Sequence, residues 1–295
     1  VSDGQDATVT RTGARHRQGA PRSGSTSRAG RNLPAAIATG VTLGAAVALS
    51  VFTDRRFFVG VICVALVLAV WEMRQAFAEQ ALRVPLVPVA IGAVCMTVGA
   101  YASGPEALVL ATTLTCVAVL VWRVADGAAG SGRDVGAGVL VTLYPCFLGG
   151  FAALMAAEPQ GQWRILVFIL LVVLSDIGGY AVGVLVGRHP MAPALSPKKS
   201  WEGMAGSVLT SALGGAILIP LLFDGGQWWQ GALLGAVVAP VATIGDLVES
   251  SIKRHLGVKD MSNILPGHGG IMDRLDSLAL AAPFVWAVLR AVAPV

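Results

Sequence analysis

The sequence predicts an all-α fold, a polytopic membrane bundle of about nine transmembrane helices with the N-terminus inside and the C-terminus outside. Three observations carry this expectation. Hydrophobic residues make up 55% of the chain and charged residues only 13%, where a soluble domain carries about a quarter charged. A larger core does not absorb that shortfall, because surface must still face something, and lipid is the simplest partner. Apolar stretches that meet or approach the ~20 residues needed to cross ~30 Å of hydrocarbon recur along the chain. Lys and Arg are divided unevenly between alternate connections, as they are across a bilayer.

Residues 1–34 are polar, hold Arg11, Arg15, Arg17, Arg22, Arg28 and Arg31, and show no apolar period. They read as a disordered basic arm on the cytoplasmic side. The apolar run after the arm starts too late for a signal peptide and is followed by further spans, so it reads as a first span. The expected spans are 35–53, 57–71, 84–102, 106–122, 135–157, 164–187, 204–223, 227–247 and 271–292. The second is the shortest, and a re-entrant pair is the alternative for the first two. Residues 35–139 form the N-terminal membrane helices and 140–295 a second, C-terminal membrane region.

With the N-terminus inside, every Lys and Arg except Arg55, Arg56, Arg164 and Arg290 falls on the inner side or at its helix mouths. The outer connections are short. The inner segments 188–203 and 248–270 are longer and polar, so a functional site is expected there, facing the cytoplasm. Cys63, Cys95, Cys116 and Cys146 each lie in an apolar run without a CxxC pair. They read as small buried hydrophobes rather than a zinc site. The tryptophans lie mostly near span ends, where an interfacial belt accounts for them.

Chemistry concentrates between Gly245 and Asp276. If the helix before it continues, Asp246, Glu249 or Ser250, and Lys253 share one face. The turn Pro266-Gly267-His268-Gly269-Gly270 follows. A new helix then opens with Asp273, Arg274 and Asp276. Carboxylates at two helix mouths beside Lys and Arg suit Mg²⁺ and phosphates. The paired glycines let backbone N–H groups approach an anion, and the helix start adds its partial positive charge. An ion-paired, snorkelling loop accounts for the spacing equally well. Upstream, Asp176 is an acid well inside a span, with Tyr180 one turn on. Such an acid is a site candidate, or a hydrogen-bonding partner for a neighbouring helix.

The run Ser250/Ser251, Lys253-Arg254, Lys259-Asp260, Pro266-Gly267-His268-Gly269-Gly270, Asp273-Arg274-Leu275-Asp276 closely resembles the signature of the phosphatidate cytidylyltransferase family. Ser196-Pro197-Lys198-Lys199-Ser200-Trp201-Glu202-Gly203 resembles a second family block, with Ser200 where many members carry Thr. The resemblance covers about residues 140–290, so the C-terminal membrane region is the expected catalytic one. The first half matches only in being apolar and multi-spanning.

The resemblance implies transfer of CMP from CTP to phosphatidate, giving CDP-diacylglycerol and pyrophosphate for phospholipid synthesis. It implies a bacterial-type inner-membrane location, and CTP, phosphatidate and membrane lipids as partners. Nucleic acid is not an expected partner, and a homodimer stays open. Asp246 and Asp273 are the first metal ligands it implies, with Asp276 and Glu249 next, around Mg²⁺ or Mn²⁺. Two ions ~3.5–4 Å apart would clamp the attacking and leaving oxygens. Asp246, Asp273, Lys253 and Arg274 fall at the reaction centre. Contacts to CTP or lipid phosphate are implied for Asp176, Tyr180, Ser196, Lys198, Lys199, Ser200 and Glu202, and for Arg254, Lys259, Asp260, His268, Gly269 and Gly270.

Rival readings are a CTP-dependent polyprenol or lipid kinase, a cytidylyltransferase for another lipid phosphate, and a transporter with intramembrane acids. The transporter leaves the long motif unexplained. A CDP-alcohol phosphotransferase would need an Arg that Asp126-Gly127-Ala128-Ala129-Gly130 lacks.

Overall fold

A computed structural model of the chain describes residues 33–127, 131–262, 264–265 and 269–292. The basic arm, up to residue 32, and His268 lie outside the described residues.

The expectation of an all-α membrane bundle holds. Helices α1 (Leu33–Thr53), α2 (Arg55–Ala78), α3 (Leu86–Ser103) and α4 (Pro105–Ala125) come first. Helix α5 (Ser131–Val141) passes through a π-helical stretch, Thr142–Phe147, into α6 (Leu148–Ala157). Helix α7 (Gly161–Val186), an antiparallel hairpin of β1 (Pro190–Ala192) and β2 (Ser196–Ser200), α8 (Trp201–Leu222), α9 (Trp228–Leu256) and α10 (Met272–Val292) complete the order.

Eight helices among the described residues are long and apolar enough to cross a bilayer, with α5 and α6 counted as one. In α1 the described apolar run, Ala38–Thr53, is shorter than those eight. Eight of the nine expected crossings thus correspond to such helices, and α1 lies at the place of the first expected one. Helix α2, expected to be the shortest span, has 24 residues. Glu72 and Arg74 read as an inner connection in the sequence. The helix instead runs through them, because Glu72 is fully buried and finds partners on another element.

Local chemistry sets the boundaries. Asp54 accepts from Arg56 N at 2.8 Å and caps α2. Ser200 Oγ accepts from Gly203 N at 3.1 Å and caps α8. Gly257, at φ 73°, closes α9 in a left-handed conformation that favours glycine. Pro145 lacks an N–H, and the widened π turn around it takes up the lost helical bond.

Helices α7, α8 and α9 pack through small residues. One face of α8 carries Gly203, Ser207, Ser211 and Gly215 at four-residue spacing. Ser207 Oγ donates to Ser175 O at 2.7 Å and Ser211 Oγ to Leu171 O at 3.1 Å, both on α7. A Cβ on Gly215 would overlap the Gly231 carbonyl of α9. Lipid provides no hydrophobic drive for helix pairing, so close backbone approach and interhelical hydrogen bonds hold such helices together. This packing brings the C-terminal halves of α7 and α9 beside the N-terminal end of α8.

Candidate active site

At that end of the bundle, Asp176 and Tyr180 of α7, the hairpin residues Ser196, Lys198 and Lys199, and Asp246 of α9 line one cleft of about 270 Å³. Ser200 also lines it while capping α8. Lys199 Nζ forms an ion pair with Asp246, which ties the upstream block to the downstream one. The hairpin lays β2 beside α7 and α8. Tertiary packing, rather than helical spacing, therefore makes the contact.

Beside the cleft, the carboxylates of Asp246, Glu249 and Asp276 offer oxygens within 4.8 Å of one another. Asp246 and Glu249 share a face of α9, as their spacing predicts. Asp276 comes from α10, which packs so tightly on α9 at Gly245 that a Cβ there would lie 2.6 Å from Asp276 O. Tyr144, at the π turn, donates its hydroxyl to Gly245 O at 3.1 Å and braces the same crossing. Glu249 is fully buried, and its Oε1 has no partner among the described residues. A buried carboxylate oxygen without a donor is costly. Together with Asp246 and Asp276, Glu249 offers three hard oxygens, a donor set that suits Mg²⁺ or Mn²⁺.

Asp273 is placed differently from the expectation that it leads the metal ligands. Its Oδ1 accepts from Lys253 Nζ at 2.8 Å, and its Oδ2 accepts from Gly270 N at 2.7 Å and Met261 N at 3.1 Å. Lys253 also donates to Glu249 Oε2 at 2.5 Å. So Asp273 organises the loop and Lys253, while Asp276 completes the acidic trio. Arg274 lies near enough to Asp176 of the cleft for their charges to interact. It also lines an apolar groove of about 400 Å³ bounded by α1, α2, α7 and α10.

Other expected residues are dispersed. Glu202 Oε1 binds His189 Nδ1 at 2.5 Å, and its Oε2 accepts from Arg188 N and His189 N at 3.2 Å. It pins the start of the hairpin and does not line the cleft. Arg254, Lys259 and Asp260 are exposed at and beyond the end of α9. Gly269, at φ 81°, pairs with Leu265 through two backbone hydrogen bonds of 2.9 and 3.1 Å. Two residues that shape the site are not singled out by the sequence. Tyr144 is a tyrosine in an apolar run and carries no sequence signal. Glu72, an acid in an apolar helix, carries the same signal as Asp176, but its position near a span end hides it.

In a polytopic membrane protein, a cleft lined by lysines with a carboxylate trio beside it makes a site suited to phosphates and a hard cation at a bilayer. The sequence model of the cytidylyltransferase family matches residues 34–292. The chain is 39% identical over 281 residues to the phosphatidate cytidylyltransferase of Mycobacterium bovis, covering 90% of each chain. It is 38% identical over 283 residues to that of Mycobacterium leprae, covering 90% of this chain and 89% of the relative. A Staphylococcus saprophyticus phosphatidate cytidylyltransferase is 38% identical over 136 residues, 46% of this chain and 52% of the relative. The chain belongs to the cytidylyltransferase family.

Proposed function

We propose that the chain transfers the CMP unit of CTP to phosphatidate, forming CDP-diacylglycerol and pyrophosphate. A phosphate oxygen of the lipid attacks the α-phosphorus of CTP. The bond from that phosphorus to the bridging oxygen of the β-phosphate breaks, and pyrophosphate leaves. The nucleophile is already an anion at neutral pH, so the site needs charge neutralisation and alignment rather than a strong base. The observation that carries the reading is the single cleft in which Lys199 of one motif meets Asp246 of the other.

Asp246, Glu249 and Asp276 would hold a divalent cation, which neutralises phosphate charge when bound. A second ion would need Asp273 to give up Lys253. Lys198 and Lys199 hold the CTP phosphates; when Lys199 turns to a phosphate, Asp246 is freed as a ligand. Arg274 binds the lipid phosphate at the edge of the apolar groove, whose walls from α1, α2, α7 and α10 take an acyl chain. The cleft faces the cytoplasm, where CTP is. The placement of Arg55, Arg164 and Arg290 near residues 156–159, at the other end of the bundle, supports this orientation.

The test uses purified protein with phosphatidate, Mg²⁺ and CTP labelled at the α- or the γ-phosphate. Label from the α-position in the lipid and from the γ-position in pyrophosphate is expected. Label from the γ-position in the lipid would mean a kinase. For orientation, Ser196→Cys and Lys259→Cys in a cysteine-free background should react with an impermeant thiol reagent only after cells are opened.

A further inference from the structure

Glu72 is a fully buried acid on α2, distant in sequence from every described partner it has. Its Oε1 accepts from Ser262 Oγ at 2.5 Å and from Ile271 N at 2.8 Å, and its Oε2 accepts from Met272 N at 2.8 Å. These described partners are a hydroxyl and two amides, none of them charged. The carboxylate is met by hydrogen-bond donors at the start of α10, where backbone N–H groups have no helical acceptor and the helix dipole favours an anion. Charge-assisted bonds of this kind are the stronger ones. The approach is close: a Cβ on Gly270 would lie 2.8 Å from Glu72 Oε2. Two turns on, Gln80 Nε2 of the segment just after α2 donates to Leu256 O at 3.0 Å, at the end of α9. One stretch of chain from the N-terminal half therefore grips both ends of the 257–271 connection.

We infer that Glu72 is a positioning residue, which holds the start of α10 at a set distance from α9 and thereby brings Asp276 to Asp246 and Glu249. It touches no substrate. It acts through Ile271 and Met272, and Asp273 and Asp276 follow within about one turn. The activity readout rests on the proposed reaction; the metal-binding and exchange readouts do not.

The test compares wild type, Glu72→Gln and Ser262→Ala as full-length proteins in detergent. Glu72→Gln keeps the side-chain shape but loses the charge and one acceptor oxygen. It should speed amide exchange across residues 258–272 at least 10-fold. It should raise the Mn²⁺ concentration needed for half-maximal binding, read by electron paramagnetic resonance, at least 5-fold. The kcat should fall about 10-fold or more, with the KM for CTP within 3-fold. Ser262→Ala, which removes one of three donors, should move the same quantities 2- to 3-fold. A folded Glu72→Gln protein with wild-type exchange and wild-type Mn²⁺ binding overturns the inference, as does a lowered melting temperature with both unchanged. If Glu72→Gln does not fold, Ser262→Ala decides by the same two readouts. A wild type that transfers no CMP would sink the proposed reaction and leave the exchange and Mn²⁺ comparison to judge Glu72.

Discussion

The two ends of the bundle use charge in opposite ways. At one end, Arg55 Nη1 donates to Ala156 O at 2.9 Å and Glu158 O at 2.8 Å, and Arg164 Nε donates to Pro159 O at 3.0 Å. These two guanidinium groups tie off backbone carbonyls at and just beyond the end of α6, where helical donors run out, and the carboxylate there, Glu158, meets Arg290 only at 4.0 Å. At the other end, cations meet side-chain carboxylates: Lys199 of the hairpin with Asp246 of α9, and Lys253 with Glu249 on its own helix and Asp273 on α10. Carbonyl partners are fixed by the backbone and leave nothing to exchange. Carboxylate partners can be traded for a metal ion or a phosphate. A membrane protein can thus carry buried charge for shape at one end and for chemistry at the other.

The largest effect is expected from Asp246→Asn. It removes charge from the trio at nearly constant size, and turnover should fall about 100-fold or more, equal to about 2.7 kcal/mol in the barrier. Expression and melting should be checked first, and wild-type turnover in a folded variant would remove the metal-site assignment. Asp273→Asn should cost less, about 10-fold. The amide oxygen can still accept from Gly270 N, while Lys253 loses a charged acceptor. A loss at Asp273 as deep as at Asp246 would restore it to the metal ligands.

Lys199→Met tests the cleft itself. The KM for CTP should rise about 10-fold with a smaller change in kcat, because a phosphate contact is lost in the ground state as well as the transition state. An unchanged KM would place CTP elsewhere. At the opposite end, Arg55→Gln should leave turnover within 3-fold. It should lower thermal stability, since two carbonyls lose a charged donor at about 1–3 kcal/mol. A large catalytic loss there would erase the division between the ends. Removing residues 1–32 should have the smallest effect, within a few-fold of wild-type turnover in detergent.

Much of this protein can be read from its sequence because a bilayer imposes one-dimensional rules. Span length, the scarcity of charge, and the position of Lys and Arg follow from hydrocarbon thickness and the cost of burying polar groups. Those rules place eight of the helices and single out the two polar segments. The helical period of α9 is enough by itself to put Asp246, Glu249 and Lys253 on one face. The family blocks name Lys199, Asp273 and Asp276 without showing how they divide the work.

What the tertiary structure decided is which groups meet. Helical spacing specifies a face, and the facing partner depends on how closely another helix approaches and at what rotation. Gly245 lets α10 come near enough for Asp276 to join Asp246 and Glu249, and the loop then assigns Asp273 to Lys253, Gly270 and Met261. The hairpin carries Lys199 to Asp246. In the sequence Glu72 reads as a charge leaving the membrane. It stays buried because the first N–H groups of α10, across the fold, supply the hydrogen bonds that water would otherwise have to provide.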